Sequence, residues 1–182
     1  MAQAVDAKQN AQQVTAHQIN IQVAKQLANL VKSTLGPYGM DKEMVDAAGT
    51  VLMTNDGATI LKGTKLNHPT ATIITEVART QEENCYDGTT SSVVITGEMM
   101  DKASNLLDMK IHPTRIAKGY NIANAKAQEL LEDIAIDVDD KLLLSVAKTA
   151  MTGKSAESSS ETLAQVALDV AKSTTIENIS VV

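Results

Sequence analysis

Apolar residues recur along this chain mostly three and four positions apart, the spacing of one face of a helix. Ile19, Val23, Leu27, Leu30 and Val31 predict a first amphipathic helix ending near Leu35, where Gly36-Pro37-Tyr38-Gly39 interrupts the pattern. Glycine accepts the left-handed cap there and proline cannot extend the hydrogen-bond ladder. Residues 1–13, rich in Gln and Ala with few apolar anchors, read as a mobile arm or a frayed helical end. Ile73, Ile74 and Val77 predict a helix opened by His68-Pro69-Thr70, and a Met- and Leu-rich helix runs from Val93 to Leu107. His112-Pro113-Thr114 repeats the proline-led entry before Ile116, Tyr120, Ala123, Ala127, Leu130 and Leu131. An acidic joint at 137–140 precedes a short helix through Leu142, Leu143, Val146 and Ala147, broken at Thr152-Gly153-Lys154. Leu163, Val166, Ala167 and Val170 then predict a last helix within 161–172.

Two segments depart from helical spacing. The apolar runs 51–54 and 58–61 flank Asn55-Asp56-Gly57, a turn triplet that tolerates positive φ, and predict a β-hairpin. Residues 176–182 alternate like a strand with an unpaired edge, which predicts that 139–182 belong to a module completed elsewhere. The fold class is therefore mainly α, a helical bundle with one hairpin.

Composition narrows the function. Hydrophobic residues are 43% of the 182 positions, enough for a core, yet there is no Phe or Trp and only three Tyr beside eight Met. Such a core suits closely packed helices filled by aliphatic side chains. A net charge of −6 argues against general nucleic-acid binding, which needs cations to neutralise phosphates. The one cysteine, Cys85, allows no intrachain disulfide, and the three histidines lack metal-ligand spacing. No apolar stretch reaches the length of a membrane span and the N-terminus has no signal pattern, so no membrane role is expected and the cytoplasm is the expected compartment.

The candidate chemistry lies in four polar joints: Thr34-Leu35-Gly36-Pro37, Asn55-Asp56-Gly57, Asp87-Gly88-Thr89-Thr90 and Thr152-Gly153-Lys154. Each has a plain reading as a helix cap, a turn or a solvated lysine. The same residues also suit phosphoryl transfer. Glycine turns and helix N-termini present amides to phosphate oxygens, and hydroxyls can donate to them. Asp87 is a candidate ligand for Mg2+, Asp56 a candidate to orient an attacking water, and Lys154 a candidate sensor of a terminal phosphate. No Walker-type GxxxxGK[ST] is present, so an ordinary P-loop fold is not indicated.

Five collinear stretches, VKSTLGPYGMDK (31–42), VLMTNDGATILK (51–62), YDGTTSSVVITGEMM (86–100), IHPTRIAKGY (111–120) and LLSVAKTAMTGK (143–154), resemble the group II chaperonins, the archaeal thermosome and its eukaryotic cytosolic counterpart. The likeness runs over about residues 14–182 and covers the N-terminal part of that family's longer chain. It implies an ATP-dependent folding subunit of a double ring, acting on unfolded proteins, with ATP and Mg2+ as cofactors. Residues 1–138 would be half of the equatorial domain and 139–182 the first segment of the intermediate domain. Carried over by motif, Leu35, Gly36 and Pro37 would line the nucleotide pocket with Gly57. Asp56 would be a water-activating aspartate and Asp87 the metal ligand. Gly88, Thr89, Thr90 and Ser91 would hold phosphates, and Lys154 would sense the γ-phosphate. The hairpin at 51–61 would reach a neighbouring subunit. Two departures stand out: the family has glycine in place of Tyr86 and of Ser155. A tyrosine at 86 is expected to resist a positive φ or obstruct the pocket, and so to weaken nucleotide binding. The competing expectation is a non-catalytic chaperonin-like chain that caps or regulates intact rings.

Overall fold

The structure, a computed structural model, describes residues 2–45, 48–154 and 156–175, with side chains described from Ala16 onward. The expected strand at 176–182 and Ser155 lie outside the described residues. The chain forms two compact units, residues 1–122 and 123–182.

In the first unit, α1 (Ala2–Lys32) packs along α4 (Thr89–Asp108), with α3 (Pro69–Cys85) and the short α2 (Gly57–Gly63) completing the bundle. Its backbone is helical from Ala2, where the sequence suggested an arm or a frayed end. The buried stripe of α1 is Ile21, Ala24, Leu27, Ala28 and Val31, whereas Ile19 is exposed. Alanine thus does much of the packing, and the reason is close approach. A Cβ on Gly97 of α4 would lie 2.1 Å from the Ala28 Cβ, so the two helices touch where both side chains are smallest. Val31 and Val93 are fully buried beside Ile60 and Leu61; each contributes roughly 1.5–3 kcal/mol of burial. Two ion pairs flank the contact, Lys25–Asp101 at 2.5 Å and Lys32–Glu98 at 2.8 Å.

The hairpin is real, but its partner strand lies upstream of the expected one. β1 (Lys42–Val45) pairs antiparallel with β2 (Val51–Thr54), in the register Lys42↔Thr54 to Val45↔Val51. Residues 58–61 are not its second strand: they are the middle of α2. Asp56 decides this locally, because its carboxylate accepts the Thr59 amide at 2.7 Å and so caps a helix where the Asn55-Asp56-Gly57 turn of a hairpin was expected. Met44 reaches from β1 to Gly63 at the end of α2, and its terminal methyl occupies the space beside that glycine.

Both proline-led entries occur as expected. His68 Nδ1 accepts the Thr70 amide at the start of α3, and His112 Nδ1 accepts the Thr114 amide before α5 (Pro113–Ile134). Ile116 is buried, and the half-buried Tyr120 donates its hydroxyl proton to the Met99 carbonyl at 2.6 Å. α5 runs across the boundary between the units at Ile122.

The second unit pairs α6 (Asp140–Met151) with α7 (Ser160–Ser173), joined through a 3₁₀ turn at Glu157–Ser159. Asp139 caps α6 by accepting the Leu142 amide at 2.7 Å, which explains the acidic joint. The ion pairs Lys148–Glu161 and Lys172–Asp140 tie the two helices, and Ala164 is fully buried between them. No helix among the described residues is long and apolar enough to cross a membrane.

Candidate phosphate-binding site at two helix N-termini

Two helices begin against each other in the first unit. α2 starts at Gly57 and α4 at Thr89, and a Cβ on Gly57 would sit 2.6 Å from Thr90 Oγ1 and 3.2 Å from Thr90 Cα. A side chain there would crowd the Thr90 backbone, so glycine at 57 lets the cap of one helix lie directly against the first turn of the other.

The cap is Asp56. Its backbone N–H donates to Thr54 Oγ1 at 3.1 Å, its Oδ2 accepts the Thr59 amide, and its Oδ1 faces Thr89 Oγ1 at 3.5 Å. Partial burial pushes the Asp56 carboxyl up, but the hydrogen bonds from Thr59, Ala58 and Thr89 together outweigh it. The carboxyl is held below the usual aspartate range and is ionised at neutral pH.

The start of α4 is open. Its N-cap, Gly88, is left-handed at φ 79 and has no side chain to cap with. The first helical bond runs from the Ser92 amide to the Gly88 carbonyl at 2.9 Å. Among the described residues, the amides of Thr89, Thr90 and Ser91 have no acceptor. Three adjacent free donors at the positive end of a 20-residue helix are suited to a phosphate group.

Asp87 stands at the mouth of this turn. Its Oδ1 accepts the Gly88 amide at 2.7 Å, while Oδ2 accepts nothing among the described residues. An exposed carboxylate with one oxygen free fits a Mg2+ ion that keeps most of its coordination as water and phosphate oxygen. Among the described residues no group of three or more His, Cys, Asp or Glu forms a dedicated metal cage.

Tyr86 takes up the left-handed conformation that the sequence suggested it would resist, at φ 55, and its amide donates to the Glu82 carbonyl at 2.9 Å as the cap of α3. The side chain is exposed, 63% of it open to solvent. A non-glycine residue there costs about 1–2 kcal/mol, so the hydrogen-bonded cap holds a strained residue in place.

The Leu35-Gly36-Pro37 turn follows α1, with Gly36 at φ 84. Lys25 pairs with Asp101 and Lys32 with Glu98, so α1 and α4 run antiparallel. The end of α1 and the start of α4 therefore share one end of the pair. A Cβ on Gly39 would meet the Thr34 carbonyl oxygen at 2.2 Å, so the backbone approaches too closely for a side chain at the second glycine of the turn. Lys154 belongs to the second unit: it is exposed, and its amide donates to the Met151 carbonyl beyond Gly153 at φ 76.

Sequence reasoning passed over three residues of the site: Thr54, Thr59 and Gln81. The first two support Asp56 from two positions before and three after, a spacing that an N-cap at Asp56 would have revealed. Gln81 carries no such signal, since a glutamine on an amphipathic helix reads as surface.

The TCP-1/cpn60 chaperonin family model matches residues 27–182. The chain is 53% identical over 158 residues to thermosome subunit beta of Methanothermobacter thermautotrophicus, covering 86% of this chain and 29% of that one. It is 49% identical over 160 residues to a thermosome subunit of Pyrococcus horikoshii, again 86% of this chain and 29% of the relative. Thermosome subunit 2 of Haloferax volcanii is 49% identical over 165 residues, 89% of this chain and 30% of its own length. The chain thus spans under a third of the length of these curated relatives. With the motifs in order and the family model covering most of its residues, the chain belongs to the TCP-1/cpn60 chaperonin family, in the group II branch of its thermosome relatives.

Proposed function

We propose that this chain is the nucleotide-binding part of an ATP-dependent chaperonin subunit. The observation that carries the reading is the Asp56 carboxylate beside Thr89, at the same junction where Thr89, Thr90 and Ser91 present free amides. Thr89, Thr90 and Ser91 would bind phosphate oxygens through those amides, with Gly88 letting the backbone approach. Asp87 would hold Mg2+, and bound Mg2+ would neutralise the charge of the phosphates. Asp56, kept ionised by its hydrogen bonds, would orient a water and accept its proton. Leu35, Gly36 and Pro37 would border the nucleotide with Gly57, and Lys154 would respond to the terminal phosphate. Residues 1–138 are assigned to the equatorial domain and 139–182 to the intermediate domain. In the cytoplasm the subunit would assemble with others into a double ring and act on unfolded client proteins.

The test is calorimetric titration of the full chain with ATP in Mg2+, beside its Asp87→Ala variant. Asp87 is exposed, so its replacement should leave the melting temperature close to that of wild type while weakening Mg-ATP binding about tenfold or more. Absence of Mg-ATP binding to wild type at millimolar nucleotide, or equal binding by the variant, would refute the reading.

A further inference from the structure

Asp87 sits between two left-handed residues, Tyr86 at φ 55 and Gly88 at φ 79. The backbone preferences of this loop do not fix its shape, because Tyr86 has unstrained alternatives to its left-handed conformation and glycine adopts either sign of φ about equally. What holds it comes from the last turns of α3. The Glu82 carbonyl accepts the Tyr86 amide at 2.9 Å, and Gln81 Nε2 donates to the Asp87 carbonyl at 2.8 Å. The second contact spans six residues and fixes the peptide between Asp87 and Gly88. That peptide carries the N–H which donates to Asp87 Oδ1. One amide group thus links the Gln81 side chain to the direction of the Asp87 carboxylate.

Gly88 and Gln81 fit each other at this point. A Cβ on Gly88 would approach Gln81 Nε2 to 3.1 Å, so the absence of a side chain leaves the space through which the glutamine reaches the loop. The Asp87 carbonyl can only accept, so the side chain at 81 must bring a donor of the length that glutamine has.

We propose that Gln81 is a positioning residue for the metal side of the nucleotide site: by holding the 87–88 peptide, it aims the free Asp87 oxygen at the cation of Mg-ATP. This rests on the nucleotide reading above. Gln81 touches neither phosphate nor metal; it acts through Asp87. Its removal should therefore cost the Mg2+-dependent part of the affinity and spare the part supplied by the amides of Thr89, Thr90 and Ser91.

The experiment compares the full wild-type chain with Gln81→Ala, and with Gln81→Glu, which keeps the length but offers no N–H. Titrations with ATP are run in Mg2+ and in EDTA, and the Gly88 amide resonance is followed without nucleotide. Both variants should weaken Mg-ATP binding about three- to tenfold, the worth of one hydrogen bond. Affinity for Mg-free ATP and the melting temperature should stay close to wild type, while the Gly88 resonance moves in the ligand-free protein. Equal loss with and without Mg2+ would overturn the proposal, as would an unmoved Gly88 resonance. Wild-type Mg-ATP affinity in both variants, alongside lost binding in Asp87→Ala, would overturn it and leave the nucleotide reading standing. No Mg-ATP binding by wild type would remove both.

Discussion

Replacing Gly57 by alanine tests whether the junction of the two helix starts is as tight as its geometry states. The added methyl would lie 2.6 Å from Thr90 Oγ1, 3.2 Å from Thr90 Cα and 3.3 Å from Thr90 N. The hydroxyl can rotate away, but the backbone atoms cannot, so α4 must move by a few tenths of an ångström at its first turn. Overpacking of this kind costs about 1–3 kcal/mol. Alanine's better helix propensity returns at most about 1 kcal/mol, and less at a first helical position than in an interior. The expected balance is a loss of about 1–2 kcal/mol, or a fall in Tm of roughly 3–8 °C for a unit of this size. The displaced residues carry the free amides, so Mg-ATP affinity should fall with stability. Gly119→Ala is the control, since a Cβ there meets nothing within 4 Å in the middle of α5, and it should stabilise by about 0.4–1 kcal/mol. Thermal melts and calorimetric titrations of the two variants supply the assay. A Gly57→Ala protein that melts at or above wild type and binds Mg-ATP normally would refute the close-contact argument.

The α1–α4 contact makes a similar prediction with a built-in rescue: Gly97→Ala should cost about 2–3 kcal/mol in urea unfolding, because its Cβ would fall 2.1 Å from that of Ala28. Adding Ala28→Gly should restore part of the loss, and additive losses in the double mutant would sink the idea. Asp56 should give a pH signature. Its folded-state pKa lies below the unfolded value, so its stabilising contribution is complete above the unfolded value and disappears as pH falls through the folded one. The stability gap between wild type and Asp56→Asn should therefore narrow in acid, and a gap constant from neutrality into that range would contradict the assigned hydrogen bonds. Tyr86→Gly should raise Tm by relieving about 1 kcal/mol of left-handed strain, whereas Tyr86→Ala, which keeps the β-carbon, should not. Equal behaviour of the two variants would show that the φ of 55 is not the source of the cost.

Much of this protein was legible along the chain, and the residues that were not share one property. Helices with strong apolar periodicity or a proline-led start appear where the spacing puts them, because those signals are local: His68 and His112 bond the backbone two residues away. The family was legible for another reason, since ordered motifs persist whether or not their contacts can be derived. The hairpin shows where local reading fails. Asn55-Asp56-Gly57 has turn chemistry, but the same aspartate is an equally good helix cap, and pairing β1 with β2 leaves residues 58–61 to α2. Ile60 and Leu61 are then fully buried as helix residues in the core shared with Val31 and Val93.

At the site, the sequence by itself determined the ingredients: a capping aspartate, glycines that accept left-handed or crowded positions, and hydroxyl residues at the head of a helix. Only the tertiary structure decided that Gly57 lies against Thr90, that Asp56 faces Thr89 across 33 positions of chain, and that Gln81 reaches the Asp87 carbonyl. Those contacts depend on where α2, α3 and α4 come to rest when their apolar faces are buried together. That packing is a property of the whole bundle, which no spacing along one segment encodes.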